Sequence, residues 1–146
     1  MGAGGAGYSG TPLARKLGIR EGSRVATLGA PDGFVDLLAP LPSGVDVKVR
    51  ARERRRFDVV VAFVRTREEL RRRFVRGDAL LHVDGGLWIA WPKRSSPMAG
   101  ELSESDVREH GLAAGLVDNK ICAVDADWSG LRFVVRRADR AARRNG

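Results

Sequence analysis

The chain has 146 residues, 43% of them hydrophobic, which favours a single globular domain of ordinary composition. Its one cysteine excludes an internal disulfide, and one cysteine with two histidines gives no basis for a structural zinc site. No apolar run approaches the roughly 18 residues of a membrane span, and the start MGAGGAGYSG lacks the pattern of a secretory signal, so we expect a cytoplasmic protein.

The charge is concentrated in one stretch. Residues 48–76 hold twelve basic and four acidic side chains, a difference that equals the formal net charge of +8 of the whole chain. A basic patch of this size attracts phosphates or an acidic partner. The alternative is an ordinary solvated surface in an arginine-rich protein.

The first part of the chain predicts a disordered start, a helix and a strand. Residues 1–7 are rich in Gly and Ala, and we expect them to be disordered. In TPLARKLGI, Thr11 is a favourable N-cap, Pro12 suits the first helical position and Gly18 stops the helix. The apolar run from Arg24 to Leu28 then predicts a buried strand.

The next two predicted elements are short. DGFVDLLAPL predicts a helix that Asp32 caps and two prolines close. GVDVKV predicts an alternating strand with Val45, Val47 and Val49 on one face.

The middle of the chain carries the strongest strand signal. FDVVVAFV is β-branched and almost continuously apolar, which favours a strand covered on both faces and places Val60 and Val61 at the centre of the sheet. TREELRRRFV predicts a helix with Thr66 as N-cap, Glu69 completing a capping box and Gly77 as its end. LHVDGG is expected to be a connection and LWIAW the next strand.

The last third predicts a helix and a hairpin. LSESDVREHGLAAGL is a helix whose best cap pairs Ser103 with Asp106. VDNKICAVD and GLRFVVRR are two strands joined through ADWSG, with a glycine in the turn. We expect residues 139–146 to be a basic, frayed tail, which leaves residues 8–138 as a single α/β domain.

Strands that alternate with helices favour a mainly parallel sheet with right-handed crossovers. The predicted fold is therefore a compact, three-layer, Rossmann-like α/β sheet of about six strands that ends in an antiparallel hairpin.

This order of elements resembles a truncated class I methyltransferase fold. TLGAPDG stands where that fold has the Gly-rich turn that holds the methionine end of S-adenosylmethionine. Gly29 and Gly33 match two of its glycines, whereas Thr27 replaces an acidic residue and Pro31 the central glycine. DGGLWIAWP resembles the fold's PGG turn and fifth strand.

A closer resemblance runs from Gly7 to Arg137. GYSGTPLARKLGI, LGAPDGF, LWIAWPK, LVDNKICAVD and WSGLRFVVRR, in this order, resemble the bacterial family catalogued as domain of unknown function 3052. This resemblance implies a fold and leaves activity open, because fold does not determine function.

The site chemistry that the methyltransferase resemblance implies is largely missing. An acidic residue should end the second strand and bind the ribose hydroxyls, but VDVKVRARERRR ends in arginines and Glu53 comes four residues after Val49. Pro31 also removes a backbone N–H from the glycine turn. A phosphate-bearing ligand is still compatible with arginines at a strand end.

Trp88 and Trp91 are three residues apart on a strand, so they face opposite sides of the sheet and cannot form one stacking platform. We expect Trp88 in the core. Ligands of open α/β sheets bind outside the carboxyl ends of the strands, so the end of this strand and the glycine turn define a candidate crevice. We refer to it as the crevice; it comprises Gly29, Pro31, Asp32, Gly33, Trp91, Lys93, Ser95 and Ser96. The alternative is a packed strand end.

A second candidate surface for an anionic partner follows the second strand and comprises Arg52, Arg54, Arg55 and Arg56. Three successive arginines on a helix, such as those at 71–73, span about 200° and cannot all face one partner. We therefore expect the helical arginines to be chiefly solvated.

No residue is assigned a catalytic, metal-binding or cofactor-binding role. Asp125 and Asp127 are expected to form a turn, and Cys122 to be an inert buried thiol. The favoured function is a non-catalytic binding or regulatory domain whose partner is a protein or an anionic small molecule. The alternatives are an S-adenosylmethionine- or nucleotide-binding enzyme with a degenerate glycine turn, and an RNA-binding protein that uses the arginine belt.

Overall fold

The computed structural model describes residues 11–145, so the expectation for residues 1–7 lies outside the described residues. Strands and helices alternate along the chain. The strands are β1 (Arg24–Leu28), β2 (Asp46–Lys48), β3 (Phe57–Phe63), β4 (Leu81–Pro92), β5 (Leu116–Ala123) and β6 (Trp128–Val135). The helices are α1 (Leu13–Lys16), α2 (Phe34–Leu37), α3 (Arg67–Leu80), α4 (Glu104–Ala113) and α5 (Arg140–Asn145), the last preceded by a 3-10 turn at Arg137–Asp139.

All six strands form one sheet in the order β2-β1-β3-β4-β6-β5. The first four strands of this order are parallel, whereas β6 is antiparallel to both β4 and β5. The predicted α/β class, with a mainly parallel sheet and a terminal antiparallel hairpin, is confirmed. Within residues 11–145 no helix is long and apolar enough to cross a membrane.

Strand β3 lies in the middle of the parallel part and is covered on both faces. Val60 lies beside Ala26 of β1 and Leu87 of β4. Val60 packs with Phe74 in the hydrophobic cluster between the sheet and α3, which we call the α3-side core. Val61 belongs to the cluster on the opposite face, beside α1, which we call the α1-side core. The continuous apolar run therefore correctly predicted a central strand, because a strand between two helical layers has no solvated face.

Helix α1 ends as predicted but begins differently. Pro12 occupies the N-cap position and no side chain caps the helix, so the prediction for Thr11 was wrong. Gly18 has a φ of +86°, and beyond it the N–H of Ile19 donates to the carbonyl of Ala14 over 2.9 Å. This glycine closes the helix because only glycine adopts that conformation without strain.

Helix α2 and strand β2 are both shorter than predicted. Gly33, with a φ of +86°, is the N-cap of α2, and Asp32 is exposed and caps nothing. Strand β2 ends at Lys48, so Val49 lies beyond it and is 60% exposed. Val45 and Val47 pack against the α1-side core as the alternation predicted.

Helix α3 begins where predicted and extends further. The Thr66 hydroxyl accepts a hydrogen bond from the N–H of Glu69 over 3.1 Å, while the Glu69 carboxylate binds the N–H of Arg65 rather than that of Thr66. The helix continues through Gly77 to Leu80. A Cβ at Gly77 would lie 2.7 Å from Cδ1 of Leu87, so this glycine lets α3 pack closely on β4 instead of ending the helix.

Strand β4 starts at Leu81, directly after α3, and includes the segment predicted as a connection. Its two glycines lie inside the strand, and neighbouring groups leave no space for a side chain at either position. A Cβ at Gly85 would lie 2.6 Å from the carbonyl oxygen of Asp58, and a Cβ at Gly86 would lie 2.6 Å from Cζ of Arg132. The glycine pair marks close approach rather than a turn.

The capping box of α4 is complete. The Ser103 hydroxyl accepts from the N–H of Asp106 over 3.2 Å, and the Asp106 carboxylate accepts from the N–H of Ser103 over 2.9 Å. Both orphan donors at the start of the helix are thereby satisfied, as the sequence predicted.

The hairpin of β5 and β6 turns at residues 124–127, so the predicted glycine is not in the turn. Gly130 lies within β6 and pairs with Cys122 and Ala90. The turn is formed by Asp125, whose Oδ1 accepts from the N–H groups of Asp127 over 2.8 Å and Trp128 over 2.9 Å. The expectation that these aspartates form a turn is confirmed for Asp125.

The described part of the predicted frayed tail, residues 139–145, is largely helical. In α5, Arg143 makes two hydrogen bonds of 2.7 and 3.3 Å to the carboxylate of Asp78. Arg144 pairs with Asp84 over 3.0 Å. These pairs fix α5 beside the junction of α3 and β4, which the basic composition of the tail did not indicate.

Candidate functional site

The carboxyl ends of the four parallel strands lie along one edge of the sheet, where the crevice was predicted. The loop after β1 contributes its glycine turn, in which Gly29 and Gly33 have φ of +67° and +86°. Pro31 and Asp32 are exposed between them. The structure therefore places these four predicted crevice residues together on the expected edge.

A side chain of the chain itself occupies the space above this turn. The guanidinium of Arg73, from α3, donates a hydrogen bond of 2.6 Å to the carbonyl oxygen of Phe63 at the end of β3. Arg73 also pairs with Glu69 over 3.5 Å, and both side chains are about three-quarters buried. A Cβ added to Gly29 would lie 2.6 Å from Cζ of Arg73. The close approach that glycine permits is therefore made by an arginine.

Sequence reasoning missed this role of Arg73 and treated it as part of a solvated triplet. The i,i+4 spacing of Glu69 and Arg73 was visible and is favourable on a helix. Its neighbours fit the prediction, since Arg71 and Arg72 are exposed and both contact Glu68. Only the packing of α3 against the sheet decides that Arg73 points at the turn after β1.

The end of β4 contributes less to the crevice than predicted. Trp91 is 5% exposed and belongs to the α3-side core, whereas Trp88 is fully buried in the α1-side core. The two tryptophans thus face opposite sides, as predicted, and Trp91 fits the alternative of a packed strand end.

The segment 93–96 folds into a tight turn beside the hairpin. The N–H of Lys93 donates to the carbonyl of Asp127 over 2.7 Å, and the N–H of Ser96 donates to the carbonyl of Lys93 over 2.9 Å. Ser96 is 7% exposed, and its hydroxyl accepts from the N–H of Met98. Arg94 and Ser95 are exposed and Lys93 is half-buried, so of the predicted crevice residues in this segment Lys93 and Ser95 have side chains that solvent reaches.

The four arginines of the second candidate surface are spread along the loop that returns from β2 to β3. The N–H groups of Arg55 and Arg56 donate to the carbonyls of Ala79 and Leu80 over 2.9 and 3.0 Å, at the end of α3. That position adjoins the amino end of β3, on the edge opposite the crevice. Arg55 is half-buried, and its Nη1 lacks a hydrogen-bond partner among the described residues. Arg55 and Arg56 therefore lie away from the crevice, because the loop returns from the carboxyl end of β2 to the amino end of β3.

Arg52 and Arg54, the other two arginines of this surface, are exposed. Glu53 pairs with Lys48 and Arg24, each over 3.5 Å. Hydrogen bonds from the N–H groups of Glu53 and Arg52, together with the charge of Lys48, hold the pKa of the Glu53 carboxyl below its ordinary value. This carboxylate is engaged with cations of the chain.

The two histidines and the cysteine contact the backbone or the hydrophobic core of the fold itself. His82 accepts a hydrogen bond at Nδ1 from the N–H of Asp84 over 3.1 Å. His110 packs edge-on against Phe74, and burial, with the charge of Arg71, lowers its pKa. Cys122 is half-buried rather than buried as predicted, and this partial burial raises the pKa of its thiol, which favours the unreactive protonated form. Within residues 11–145, no three His, Cys, Asp or Glu side chains cluster closely enough to hold a metal ion.

Residues 14–137 match the family model described as "Protein of unknown function (DUF3052)". This match covers most of the chain and confirms the family resemblance. No curated protein matches the sequence.

Solved structures share the fold at low sequence identity. Fibrillarin from Aeropyrum pernix, in complex with natively bound S-adenosyl-L-methionine, is 14% identical with a TM-score of 0.58, covering 88% of this chain and 70% of that one. A TehB-like SAM-dependent methyltransferase from Corynebacterium glutamicum is 13% identical with a TM-score of 0.54, covering 90% and 91%. A SAM dependent methyltransferase from Aquifex aeolicus is 15% identical with a TM-score of 0.51, covering 83% and 86%. These likenesses confirm the methyltransferase-like Rossmann fold and concern the fold alone.

Proposed function

We propose that this chain, which belongs to the DUF3052 family, is a non-catalytic binding or regulatory domain built on a methyltransferase-like scaffold. The observation that carries the proposal is the guanidinium of Arg73 above Gly29. In open α/β folds the glycine turn after the first strand lets a ligand approach the backbone closely. Here the guanidinium of Arg73 occupies the position that a ligand would take beside the backbone.

Displacing Arg73 has an energetic cost. Its hydrogen bond to the carbonyl of Phe63 and its contact with Glu69 would both be broken. A hydrogen bond from a charged donor contributes about 1.5–3 kcal/mol in proteins. A ligand that entered the crevice would have to offset that loss before any net binding appeared.

Two further features of the chain disfavour S-adenosylmethionine. Pro31 provides no N–H in the turn. Glu53, the first carboxylate after β2, is paired with Lys48 and Arg24 rather than free to bind ribose hydroxyls. The exposed arginines Arg52 and Arg54 fit an anionic small molecule or an acidic protein surface as partner better than they fit a methyl donor.

The alternative is an enzyme that binds S-adenosylmethionine or a nucleotide in spite of the degenerate turn. The observation in its favour is the fold that this chain shares with SAM-dependent methyltransferases.

Calorimetric titration with S-adenosylmethionine separates the two functions. The unmodified chain should give no saturable heat, whereas a dissociation constant in the low micromolar range would overturn the proposal in favour of the enzyme. Arg73→Ala empties the space over Gly29, and Arg72→Ala is its matched control because Arg72 is exposed and contacts Glu68. Binding gained by the first variant alone would identify Arg73 as the group that excludes the ligand.

A further inference from the structure

A second concavity lies on the α1 side of the sheet and shares no residue with the crevice. Its volume is about 750 Å³, within the range of about 300–1,000 Å³ that small-molecule sites occupy. We call it the basic pocket; it is lined by α1 with the loop through Glu21, by Pro40 and Pro42, and by Asn119, Lys120 and Arg132 of β5 and β6. Its loops precede β1 and β2, so it opens at the amino ends of these strands, on the edge opposite the glycine turn.

The pocket carries a strong excess of positive charge. Glu21 is the acidic residue of its lining, and the basic residues of the lining are Arg15, Lys16, Arg20, Lys120 and Arg132. Within residues 11–145, none of these five forms an ion pair with a carboxylate. The ammonium groups of Lys16 and Lys120 donate to backbone carbonyls, those of Ala123 and Lys16, over 3.4 and 3.2 Å. These contacts position two cations and leave their charge uncompensated.

Arg132 is a half-buried residue in the lining of the basic pocket. Its side chain lies against β4 at Gly86, where a Cβ would be 2.6 Å from its Cζ, so the glycine leaves space that the guanidinium occupies. Nη1 of Arg132 donates to the amide oxygen of Asn119 over 3.3 Å, which orients the group without neutralising it.

The surroundings of Arg132 are unfavourable for a cation. Burial, with the nearby charge of Arg20, lowers its pKa. Partial burial beside a like charge disfavours the charged form of a guanidinium, and groups perturbed in this way cluster at functional sites. An anion between Arg20 and Arg132 would relieve that repulsion.

We propose that the basic pocket binds a phosphate-bearing small molecule, whose phosphate contacts Arg132 and Arg20. The planar guanidinium of arginine presents paired N–H donors that match phosphate oxygens. Lys120 lies beside Arg132 across the β5–β6 pair and adds a third cation. The prolines at 12, 40 and 42 provide an apolar wall for the rest of the molecule. This inference holds whether or not the crevice is catalytic, because the two sites are separate.

Calorimetric titration of the full chain with pyrophosphate, ADP, adenosine and citrate tests the proposal. Pyrophosphate and ADP should bind, and adenosine should not, because it lacks the phosphate. Replacing Arg20 and Lys120 together by Gln should weaken ADP binding at least tenfold. Both side chains are exposed, so this variant should fold normally, which circular dichroism and thermal melting verify. Arg132→Gln should abolish binding.

Arg94→Gln is the matched control, since Arg94 is an exposed arginine outside the basic pocket, and it should bind ADP like the unmodified chain. Equal weakening by this control would overturn the proposal, since it would indicate general charge attraction. Citrate binding as tight as ADP binding would contradict the assignment of a phosphate-bearing ligand. Failure of every anion to bind would contradict the proposal that the basic pocket is a binding site. Binding of a single-stranded RNA oligomer without binding of pyrophosphate or ADP would overturn it in favour of nucleic acid.

Discussion

The indole nitrogen of Trp88 donates a hydrogen bond of 3.0 Å to the carbonyl oxygen of Leu17, 71 residues away in the sequence. Both residues are fully buried, and the bond joins the middle of β4 to the end of α1. A four-residue helix is not stable alone in water, so this contact and the packing around it hold α1 on the sheet.

Removing the indole of Trp88 should therefore destabilise the protein in two separable steps. Trp88→Phe leaves the buried carbonyl of Leu17 without its donor and should lower the free energy of unfolding by about 1–3 kcal/mol. Trp88→Ala also creates a cavity and should cost about 3–5 kcal/mol. Urea denaturation measures both. Trp91→Phe is the control, since among the described residues its indole has no hydrogen-bond partner, and an equal cost for Trp91→Phe and Trp88→Phe would contradict the role of the bond.

The contact between Arg73 and Gly29 predicts a non-additive pair of substitutions. Gly29→Ala places a Cβ against the guanidinium and strains a backbone with a φ of +67°. The strain alone costs about 1–2 kcal/mol. Gly18→Ala is the matched control, because Gly18 has a φ of +86° and open space around it. Gly29→Ala should be the more destabilising of the two, and Arg73→Ala should reduce its cost. Equal costs in the presence and absence of Arg73 would place the guanidinium elsewhere.

The capping box of α4 predicts a pH dependence of stability. Hydrogen bonds from the backbone and hydroxyl of Ser103 hold the pKa of the Asp106 carboxyl below its ordinary value. A group whose pKa is lowered on folding stabilises the protein above its ordinary pKa, and that stabilisation is lost as the pH falls through the lowered value. Asp106→Asn should melt below the unmodified chain at neutral pH, and the difference in melting temperature should shrink in acid. Asp36→Asn, at an exposed carboxylate, should show neither effect.

The two arginine clusters should differ in their attraction for polyanions. Arg71 and Arg72 both contact Glu68, which partly neutralises them. Arg54 and Arg56 are exposed and form no ion pair within residues 11–145. Replacing Arg54 and Arg56 by Gln should lower the salt concentration at which the chain elutes from heparin more than the same change at Arg71 and Arg72. Equal shifts, or a larger shift for the helical pair, would mean that the loop arginines are not the stronger anionic surface.

Local signals in the sequence predicted local structure well. The caps at Thr66 and Ser103 and the helix stop at Gly18 depend on groups within five residues of each other, so the sequence contains all the partners. The continuous apolar run of β3 predicted its central position because burial on both faces tolerates no polar alternation.

The glycines show where that reasoning fails. Gly77, Gly85 and Gly130 each suggest a helix end, a connection or a turn, and each lies inside a regular element. A glycine that opens a turn and a glycine that admits a distant side chain look the same in one sequence. What separates them is the neighbour across the sheet or helix, such as Leu87 facing Gly77.

Periodicity and capping are short-range properties of the chain, and they correctly predict the alternation of elements, the α/β class, the central strand and the separation of Trp88 from Trp91. The directions of the arginine side chains depend instead on long-range packing. Arg73 lies over Gly29 and Arg132 over Gly86, and each pair is more than forty residues apart in the sequence. A long cationic side chain has no preferred direction until packing places a carbonyl, a carboxylate or an open glycine within its reach, so its role follows from the fold rather than from its neighbours along the chain.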